Sequence, residues 1–301
     1  MKLSVVISAF NEEKKIKNCL ESVKWAEEIV FINNSSTDRT AEIARKYTSK
    51  IYTQKNDPQN IDLQKNLGLE KAIGEWVLLL DADEIISPEL AQEIQTAIHQ
   101  NSDIFGYEIP RKNIIFGKWI KHSGWYPDFQ LRLFRRGLGK YKNKHYHEPI
   151  NVIGKISKLN NPIIHHNFET ITQFLYKHLL IYAPNEAEDL LKKGYNFDWR
   201  GAIRLPMSEF LSRFFAREGY KDGFHGLILA ILMGFYHFAI FAYLWEHKNF
   251  ADTNKNMLHG LKEELKKTKK EIQYWIRTKE IEQEKNLLKK TGLKIKRKIN
   301  L

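Results

Sequence analysis

The first hundred residues alternate short apolar runs with amphipathic helical patterns, and this alternation restricts the fold more than any other feature of the chain. Short apolar runs bounded by turn residues indicate buried strands, whereas apolar residues spaced three and four apart indicate helices. We predict strands over 3–9, 29–32, 50–53 and 76–80, and helices over 12–24, 37–47, 59–73 and from Ser87 onward. Strands that alternate with helices form parallel sheets with right-handed crossovers, so the sequence predicts an α/β fold with a mostly parallel sheet.

Polar stretches follow three of the predicted strands, at the point where each strand ends: "SAFNEE", "NNSSTD" and "DADE". In open α/β sheets, ligands bind beyond the carboxyl ends of the strands, so we expect these stretches to form one site. Asp81 and Asp83 stand two residues apart, and both carboxylates could bind one Mg²⁺ or Mn²⁺ through oxygen. Such a cation takes few protein ligands because substrate phosphates complete its coordination. An exposed turn without a metal is the alternative interpretation of this tripeptide.

Other polar residues near these strand ends each have a functional and a structural interpretation. Asn11 could hold a base or a ribose, and it could also cap the helix that follows. Asp38 could bind ribose or cap the next helix in the same way. Lys65, on the helix predicted over 59–73, could bind a phosphate as a point charge or remain solvated.

The segment 103–167 changes character, because it is rich in aromatic residues, glycine and histidine. This composition predicts short strands and loops instead of further strand–helix units. Within "DFQLRLF", a period of two predicts that polar residues look into a cleft and apolar residues take the opposite face. The two predicted faces are Asp128, Gln130 and Arg132, and Phe129, Leu131 and Leu133.

The rest of the chain is predicted to be helical. Residues 171–217 show an amphipathic pattern, and residues 224–245 contain no formally charged side chain. A membrane-spanning helix needs about 20 apolar residues. The uncharged helix could therefore span a bilayer, lie in a membrane surface or be buried in the protein core. Residues 257–288 predict a charged helix with a heptad-like apolar stripe formed by Leu258, Leu261, Leu265, Ile272 and Ile276.

Charge is concentrated at the C-terminal end. The formal net charge is +12, and residues 246–301 contain 16 Lys and Arg against 8 Asp and Glu. A basic tail favours an anionic partner, such as membrane phospholipid, nucleic acid or lipopolysaccharide phosphate, although a solvated helix face has the same composition. Cys19 is the single cysteine, so we expect no internal disulfide and a reducing compartment. The apolar start of the chain is too short for a signal peptide.

Several functional motifs are missing from the sequence. The chain has no Walker-type GK[ST] loop, no G-x-G-x-x-G after the first strand, no CxxC pair and no G-x-S-x-G elbow. These absences argue against P-loop nucleotide binding, dinucleotide binding, a cysteine-based zinc site and a hydrolase nucleophile, respectively.

Taken together, "SVVISAFNEEKKIKNCLESV", "NNSSTDRT", "LQKNLGLEKAIGEWVLLLDADE" and "WYPDFQLRLFRRG…HYHEPI" resemble the family-two inverting glycosyltransferases. The last stretch, the later histidine pair and "EGYKDGFHGLILA" are similar to the lipopolysaccharide core-biosynthesis branch. The resemblance implies one Rossmann-like, GT-A type nucleotide-sugar domain with a helical C-terminal extension. Together with the patterns above, it divides the chain into a nucleotide-sugar half over 1–102, an acceptor half over 103–170, a helical, membrane-associated region over 171–250 and a basic helical tail over 251–301.

The resemblance also implies roles for single residues. Those expected to border the nucleotide are Ala9, Asn11, Glu12, Asn33, Lys65 and Asp81. The expected metal ligands are Asp83 first, then Asp81 and His147, although His147 is also typical of a capped or core histidine. Asp128 would deprotonate the acceptor hydroxyl, with Glu148 as the rival base; a carboxylate in a cleft can have a raised pKa suited to that work. Asn33 stands where the family usually has Asp, so its carbonyl would accept from the base without charge.

These roles imply a metal-dependent hexosyltransferase that uses Mg²⁺ or Mn²⁺ and a nucleotide-sugar donor, with UDP the expected nucleotide. The acceptor would be a glycolipid or a lipopolysaccharide-core glycan. The uncharged helix and the basic tail would hold the enzyme at the anionic, cytoplasmic face of the cytoplasmic membrane. The alternatives are a polyprenyl-phosphate glycosyltransferase, a nucleotidyltransferase and an anionic-polymer-binding protein, and nucleic acid is not the expected partner.

Overall fold

The computed structural model describes residues 2–58, 60–100, 103–142, 150–252 and 256–299. The chain forms two compact units, Met1–Trp119 with Trp125–Glu169, and Ile120–Gly124 with Thr170–Leu301. The first unit contains a sheet with flanking helices, and the second is helical.

The first unit begins with alternating strands and helices and continues with shorter strands. Its strands are β1 Leu3–Ala9, β2 Glu28–Asn33, β3 Ile51–Thr53, β4 Trp76–Asp81, β5 Glu84–Ile85, β6 Ile104–Ile115, β7 Lys118–Trp119, β8 Asp128–Arg135, β9 Gly139–Lys140, β10 Asn151–Val152, β11 Lys155–Lys158 and β12 Ile163–Phe168. Its helices are α1 Ile16–Ser22, α2 Thr40–Ala44, α3 Ile61–Gln64, α4 Asn66–Lys71 and α5 Pro88–His99.

The sheet has the order β3–β2–β1–β4–β8–β6–β12–β5, with β7 and β11 both paired to β6. The first four of these strands are mutually parallel, which confirms the predicted α/β fold. β8 runs antiparallel to both of its neighbours, β4 and β6. Because β8 is reversed, its first residues lie at the edge where β4 and β6 end.

Apolar residues cover both faces of the sheet. Val5 belongs to one buried cluster, and the adjacent Val6 belongs to the other. A strand buried on both faces reads as a continuous apolar run, as β1 and β4 do.

An irregularity in β8 makes the predicted alternation wrong at one point. The pairing with β6 moves from Tyr107 opposite Leu133 to Glu108 opposite Leu131, so Arg132 is an extra residue, a β-bulge. Leu133 consequently joins one buried cluster, while Leu131 packs against the cluster on the other face. A strict period of two had placed both leucines on the same face.

Three of the predicted helices differ from the structure, and the one expected over 37–47 is only α2, Thr40–Ala44. The helix expected over 12–24 begins only at Ile16. The helix expected over 59–73 is divided into α3 and α4 at Lys65, whose N–H donates to Asp62 only three residues back. The predicted start of the fourth helix is correct: Ser87 caps α5 by accepting from the Leu90 N–H at 3.2 Å.

The second unit consists of helices, two of which continue into π-helical turns. The helices are α6 Ile171–Leu175, α7 Ala183–Lys192, α8 Gly201–Leu211, α9 Phe224–Glu246, α10 Met257–Gln283 and α11 Leu287–Ile299, with π-helical turns at Tyr176–Tyr182 and Ser212–Ala216. The predicted helical character of this region is confirmed, and the last basic stretch forms α11.

The helix α9 is long and apolar enough to cross a membrane, and it is the one helix among the described residues with that property. Its apolar window is 44% buried by the rest of the chain, because α7 and α8 pack against it. Buried residues such as Leu229, Met233 and Phe241 lie on the packed side. A second set of large apolar side chains remains exposed, namely Phe224, Ile231, Phe235, Phe238 and Trp245.

The apolar stripe predicted on α10 is not a packed seam. Leu258, Leu265 and Ile276 are exposed. The buried residue in this part of α10 is Glu264, which binds both arms of the Arg204 guanidinium at 2.6 Å. The helix is therefore held by an ion pair where the sequence pattern had suggested apolar packing.

Candidate active site

The carboxyl ends of β1, β2 and β4 meet at one edge of the sheet. The register places Ala9 opposite Asn33, and Ser8 opposite Asp81. The three polar stretches that follow these strands are therefore neighbours, as the sequence predicted.

Hydrogen bonds join the loop after β1 to the loop after β2. The Asn11 side-chain oxygen accepts from the Thr37 N–H at 2.8 Å, and the Glu12 N–H donates to Thr40 Oγ1 at 2.7 Å. Asn11 has a φ of 56°, a left-handed conformation that asparagine tolerates better than most residues. Asn11 does not cap α1, which begins five residues later, so that structural interpretation was wrong.

Asn33 and Asp38 both stabilise the loop after β2. The Asn33 side-chain oxygen accepts from the Ser36 N–H at 3.0 Å and retains a second lone pair. The Asp38 carboxylate accepts from the N–H groups of Thr40 at 2.9 Å and Glu13 at 3.1 Å. Burial would raise the pKa of Asp38, but these hydrogen bonds outweigh it and lower the pKa. Asp38 therefore stabilises the first turn of α2, which agrees with its interpretation as a residue that caps this helix.

Asp81 is held between two buried cations. Lys65 Nζ lies 2.7 Å from Asp81 Oδ1, and an Arg132 nitrogen lies 2.5 Å from Oδ2. Burial would raise the pKa of Asp81, but the charges of Arg132 and Lys65 hold it well below its usual range. Burial would likewise lower the pKa of Lys65, and Asp81 reverses that effect. Both Asp81 oxygens are thus bound by protein cations. Lys65 is buried, so the alternative that this lysine remains solvated was wrong.

Glu84 is the fully buried member of the acidic stretch, and it accounts for the stability of that turn. One of its oxygens accepts from the Asp81 N–H at 2.9 Å, and the other lies 3.1 Å from Arg132. Repulsion among neighbouring acids is offset because Arg132 lies between two of them. Glu84 therefore supports two groups of the site, the Asp81 backbone N–H and the Arg132 guanidinium.

Replacing Arg132 with methionine is expected to destabilise the protein by about 3–5 kcal/mol, because Glu84 then keeps a buried charge without its guanidinium partner. The free energy of unfolding in urea measures this effect. Lys140→Met is the matched control, because it breaks an exposed ion pair with Glu70 and should change that free energy by less than about 1 kcal/mol. Equal stability of the two variants would contradict the assignment.

Asp83 faces a histidine and a lysine. Asp83 Oδ1 lies 3.6 Å from His165 Nε2, and Oδ2 lies 3.9 Å from Lys15 Nζ. The antiparallel pairing of β12 with β5, in which His165 is opposite Glu84, brings the imidazole to this turn. Carboxylate oxygen and imidazole nitrogen both bind divalent transition metals, so this pair could hold a metal.

The tautomer of His165 supports that interpretation. His165 Nδ1 lies 2.7 Å from the side-chain oxygen of Asn113. An amide oxygen only accepts hydrogen bonds, so Nδ1 carries the proton and, in the neutral ring, Nε2 presents a lone pair toward Asp83. Metal-binding histidines commonly have this arrangement, in which the other ring N–H donates to an oxygen. The residues present therefore fit a divalent cation between Asp83 and His165.

Asp128 begins β8 and is surrounded by hydrogen-bond donors. Its Oδ2 accepts from Arg111 at 2.8 and 2.5 Å and from Asn113 at 3.4 Å, and its Oδ1 accepts from Gln130 at 2.9 Å. Burial would raise the pKa of Asp128, but the charge of Arg111 and these hydrogen bonds outweigh it and lower the pKa. The expectation of a raised pKa was therefore wrong, because the sequence did not reveal Arg111 as the neighbour.

The predicted residues His147 and Glu148 lie outside the described residues, so their roles stay predictions. Within the described part of the chain, no group of three or more His, Cys, Asp or Glu side chains is arranged to hold a metal. The candidate set is accordingly the pair of Asp83 and His165.

Sequence reasoning assigned no role to five residues of the site: Lys15, Glu84, Arg111, Asn113 and His165. The histidine pair in "IIHHNF" was a usable signal, since its position in β12 beside β5 required only the correct strand pairing. Lys15, Glu84 and Arg111 carried no distinguishing pattern in the sequence.

Comparison with known proteins identifies relatives over most of the chain. The sequence profile described as Glycosyl transferase family 2 matches residues 4–157. An uncharacterized glycosyltransferase of Rickettsia typhi is 30% identical over 260 residues, which cover 81% of this chain and 87% of that protein. The lipopolysaccharide core biosynthesis glycosyltransferase LpsC of Rhizobium meliloti is 25% identical over 249 residues, covering 81% and 92%.

Solved structures show weaker similarity. S. aureus TarS 1–349 in complex with UDP-GlcNAc has a TM-score of 0.44 at 16% identity, covering 84% of this chain and 93% of that one. Glucosyl-3-phosphoglycerate synthase from Mycobacterium tuberculosis, in complex with Mn²⁺ and UDP-glucose, has a TM-score of 0.41 at 15% identity, covering 65% and 80%.

Proposed function

The chain belongs to glycosyl transferase family 2 and is a glycosyltransferase, and we propose that it moves a hexose, with inversion, from a nucleotide sugar to a lipid-linked or lipopolysaccharide-core glycan. The observation that carries the proposal is the presence of two distinct carboxylate environments at one sheet edge. Asp83 stands beside Lys15 and His165, whereas Asp128 stands beside Arg111. The first environment suits a metal and a diphosphate, and the second suits a base for the acceptor.

The donor is proposed to bind over the ends of β1, β2 and β4. The second lone pair of the Asn33 side-chain oxygen could accept from a ring N–H of the base, for which uracil is the proposed partner. The diphosphate would lie toward Lys15, whose ammonium donates to the His166 carbonyl at 3.1 Å. Lys65 and Arg132 are proposed to act indirectly, by fixing the position of Asp81.

A divalent cation is proposed to bind Asp83 and His165. Mg²⁺ is held mainly through oxygen, so the presence of an imidazole nitrogen favours Mn²⁺. When bound, the cation would stabilise the negative charge of the departing nucleoside diphosphate. Lys65 and Arg132 each use one acceptor position of the Asp81 carboxylate, so Asp81 could also bind the cation through a remaining position.

Asp128 is proposed to accept the proton of the attacking hydroxyl. A carboxylate has about four acceptor positions. Gln130 uses one position on Oδ1, so the acceptor hydroxyl could approach the other. A single displacement on the face opposite the leaving nucleotide needs one base, and it inverts the anomeric configuration. Asp128 is ionised at neutral pH because Arg111 and its hydrogen bonds lower its pKa, and Glu148 remains the rival.

The test of the function is incubation of the full-length protein with Mn²⁺ and a panel of nucleotide sugars, with and without lipopolysaccharide-core or polyprenyl-phosphate acceptors. Release of nucleoside diphosphate that depends on both Mn²⁺ and acceptor is expected, and NMR of the product should show an inverted anomeric bond. No turnover with any donor would contradict the proposal. Pyrophosphate release from a nucleoside triphosphate would favour a nucleotidyltransferase instead.

We also propose that the second unit holds the enzyme on the cytoplasmic face of an anionic membrane. The exposed residues of α9 recur at intervals of seven, four, three and seven, which places them on one helix face: Phe224, Ile231, Phe235, Phe238 and Trp245. Their opposite side packs in the unit, so a helix lying in the membrane surface suits α9 better than a spanning one. The basic residues of α10 and α11 would add attraction to anionic headgroups.

Replacing Phe235 and Phe238 with serine is expected to weaken binding to phosphatidylglycerol-containing vesicles by at least about tenfold, because two large apolar side chains no longer enter the bilayer. Co-sedimentation with vesicles measures the binding, which should also fall with added salt. The matched control is Ile73→Ser with Ile153→Ser, two exposed apolar residues of the first unit. Unchanged binding of the phenylalanine variant would contradict the membrane proposal.

A further inference from the structure

Asn113 lies between the two proposed halves of the site. It is fully buried in β6. The register of the sheet places it opposite His165 of β12, while Arg111, two residues earlier, is opposite Asp128 of β8. One side chain is therefore within reach of both the metal side and the acceptor side.

The orientation of the Asn113 amide is determined by its partners. Its Nδ2 lies 2.7 Å from the Trp125 carbonyl oxygen and 3.4 Å from Asp128 Oδ2, and both of these are acceptors. The amide oxygen therefore points the other way, to His165 Nδ1 at 2.7 Å. The nitrogen end contacts the proposed base, and the oxygen end selects the tautomer of the proposed metal ligand.

We propose that Asn113 is a positioning residue that orients the Asp128 carboxylate for acceptor deprotonation and fixes the His165 tautomer for metal binding. The inference rests on the proposed function, and it adds a residue that touches neither substrate nor metal. The two tasks belong to opposite ends of one amide, so different substitutions separate them.

Asn113→Asp removes the donor end and keeps the acceptor end. The new carboxylate still accepts from His165 Nδ1, so the tautomer is retained. It can no longer donate to Trp125 or Asp128, and it places a negative charge beside the Asp128 carboxylate. Asn113→Ala removes both ends at once and leaves a small cavity.

The experiment measures Mn²⁺ affinity and transfer rate separately in the full-length protein. Free Mn²⁺ is followed by electron paramagnetic resonance during titration, and transfer is followed by nucleoside diphosphate release. For Asn113→Asp we expect Mn²⁺ affinity within about threefold of wild type and a kcat about 10–100-fold lower. For Asn113→Ala we expect both Mn²⁺ affinity and kcat to fall by about 10–100-fold.

The matched control is Asn161→Asp, which replaces another amide that donates to a carboxylate, that of Glu93, at 2.8 Å in the same unit. It should leave Mn²⁺ affinity and kcat unchanged, so a general effect of added charge is separated from the role of Asn113. Asn113→Ser replaces Asn113→Ala if the alanine variant does not fold. Thermal melting of each variant identifies the folded ones.

The outcomes separate the two levels of the proposal. If the wild-type protein is active and the Asn113 variants keep its Mn²⁺ affinity and kcat, the role of Asn113 is overturned and the proposed function is not. Equal loss of Mn²⁺ affinity in Asn113→Asp and Asn113→Ala would overturn the division between the two ends of the amide. A wild-type protein that binds no Mn²⁺ and turns over no donor would overturn the proposed function and this inference with it.

Discussion

Replacing Asp128 with asparagine is expected to lower the rate of sugar transfer by about 10²- to 10⁴-fold, because the amide cannot accept the proton of the attacking hydroxyl. The substitution keeps the shape of the side chain, so Mn²⁺ and donor binding should be unchanged. Single-turnover transfer measures the chemical step, and titration with Mn²⁺ and nucleoside diphosphate measures binding. Asp103→Asn is the control, because Asp103 pairs with Lys155 on the exposed surface of the same unit.

The pH dependence provides a second measurement on Asp128. Its folded-state pKa is lowered, since the charge of Arg111 and three donors outweigh the effect of burial. A lowered carboxyl pKa means that the ionised form is present above the ordinary value of about 4 and is lost as the pH falls through the lower folded value. Carboxylate protonation should therefore not reduce the transfer rate anywhere from neutral pH down to about 5. Removing Arg111, for example by Arg111→Met, should move the acid limb of the pH–rate profile upward.

Full transfer by Asp128→Asn would contradict this role and assign the base to Glu148. In that case Glu148→Gln, and not Asp128→Asn, should stop transfer. If the acid limb of the pH–rate profile does not move in Arg111→Met, the assignment of that limb to Asp128 is contradicted.

Replacing Asp83 with asparagine is expected to abolish measurable Mn²⁺ binding and to reduce transfer by at least about 10²-fold, because metal stabilisation of a leaving group contributes several kcal/mol. Asp83 lies 3.6 Å from His165 Nε2 and 3.9 Å from Lys15 Nζ, and both distances are longer than those of Asp81 to its cations, so the melting temperature should fall less than in Asp81→Asn. Electron paramagnetic resonance of Mn²⁺, with and without nucleoside diphosphate, checks the result directly.

Asp81→Asn is the informative comparison for Asp83→Asn. Asp81 engages Lys65 and Arg132 at 2.7 and 2.5 Å, so its replacement leaves two buried cations with less neutralising charge. We expect a larger fall in melting temperature for Asp81→Asn than for Asp83→Asn. If Asp83→Asn keeps wild-type Mn²⁺ affinity while Asp81→Asn loses it, the assignment of the metal to Asp83 is contradicted.

The sheet and its functional edge could be predicted because they depend on local patterns. The apolar runs that form β1, β2 and β4 end at polar stretches, and parallel pairing then places those ends together. The cap of α5 at Ser87 was predictable for the same reason, since it depends on residues adjacent in sequence.

The partners within the site could not be predicted, because they depend on pairings between distant residues. Arg132 reaches Glu84 over 48 positions, and His165 reaches Asn113 over 52. Both contacts require the order of strands β4, β8, β6, β12 and β5, which period-two patterns do not contain. The pKa of Asp128 was misjudged for this reason, since its sign is decided by Arg111 across the strand pair.

Arg132 is an extra residue in β8, so odd-numbered side chains face one side of the sheet before it and the other side after it. After the extra residue, Leu133 joins one buried cluster and Phe134 joins the other. Before it, Asp128 and Gln130 lie in the site. Deleting the extra residue would keep Tyr107 opposite Leu133 and Glu108 opposite Leu131, so no side chain of β8 would change face and only the Arg132 guanidinium would be lost. The bulge therefore inserts a buried cation into the strand without displacing its neighbours, and such a deletion should lower stability as Arg132→Met does, because Glu84 and Asp81 would lose the same partner.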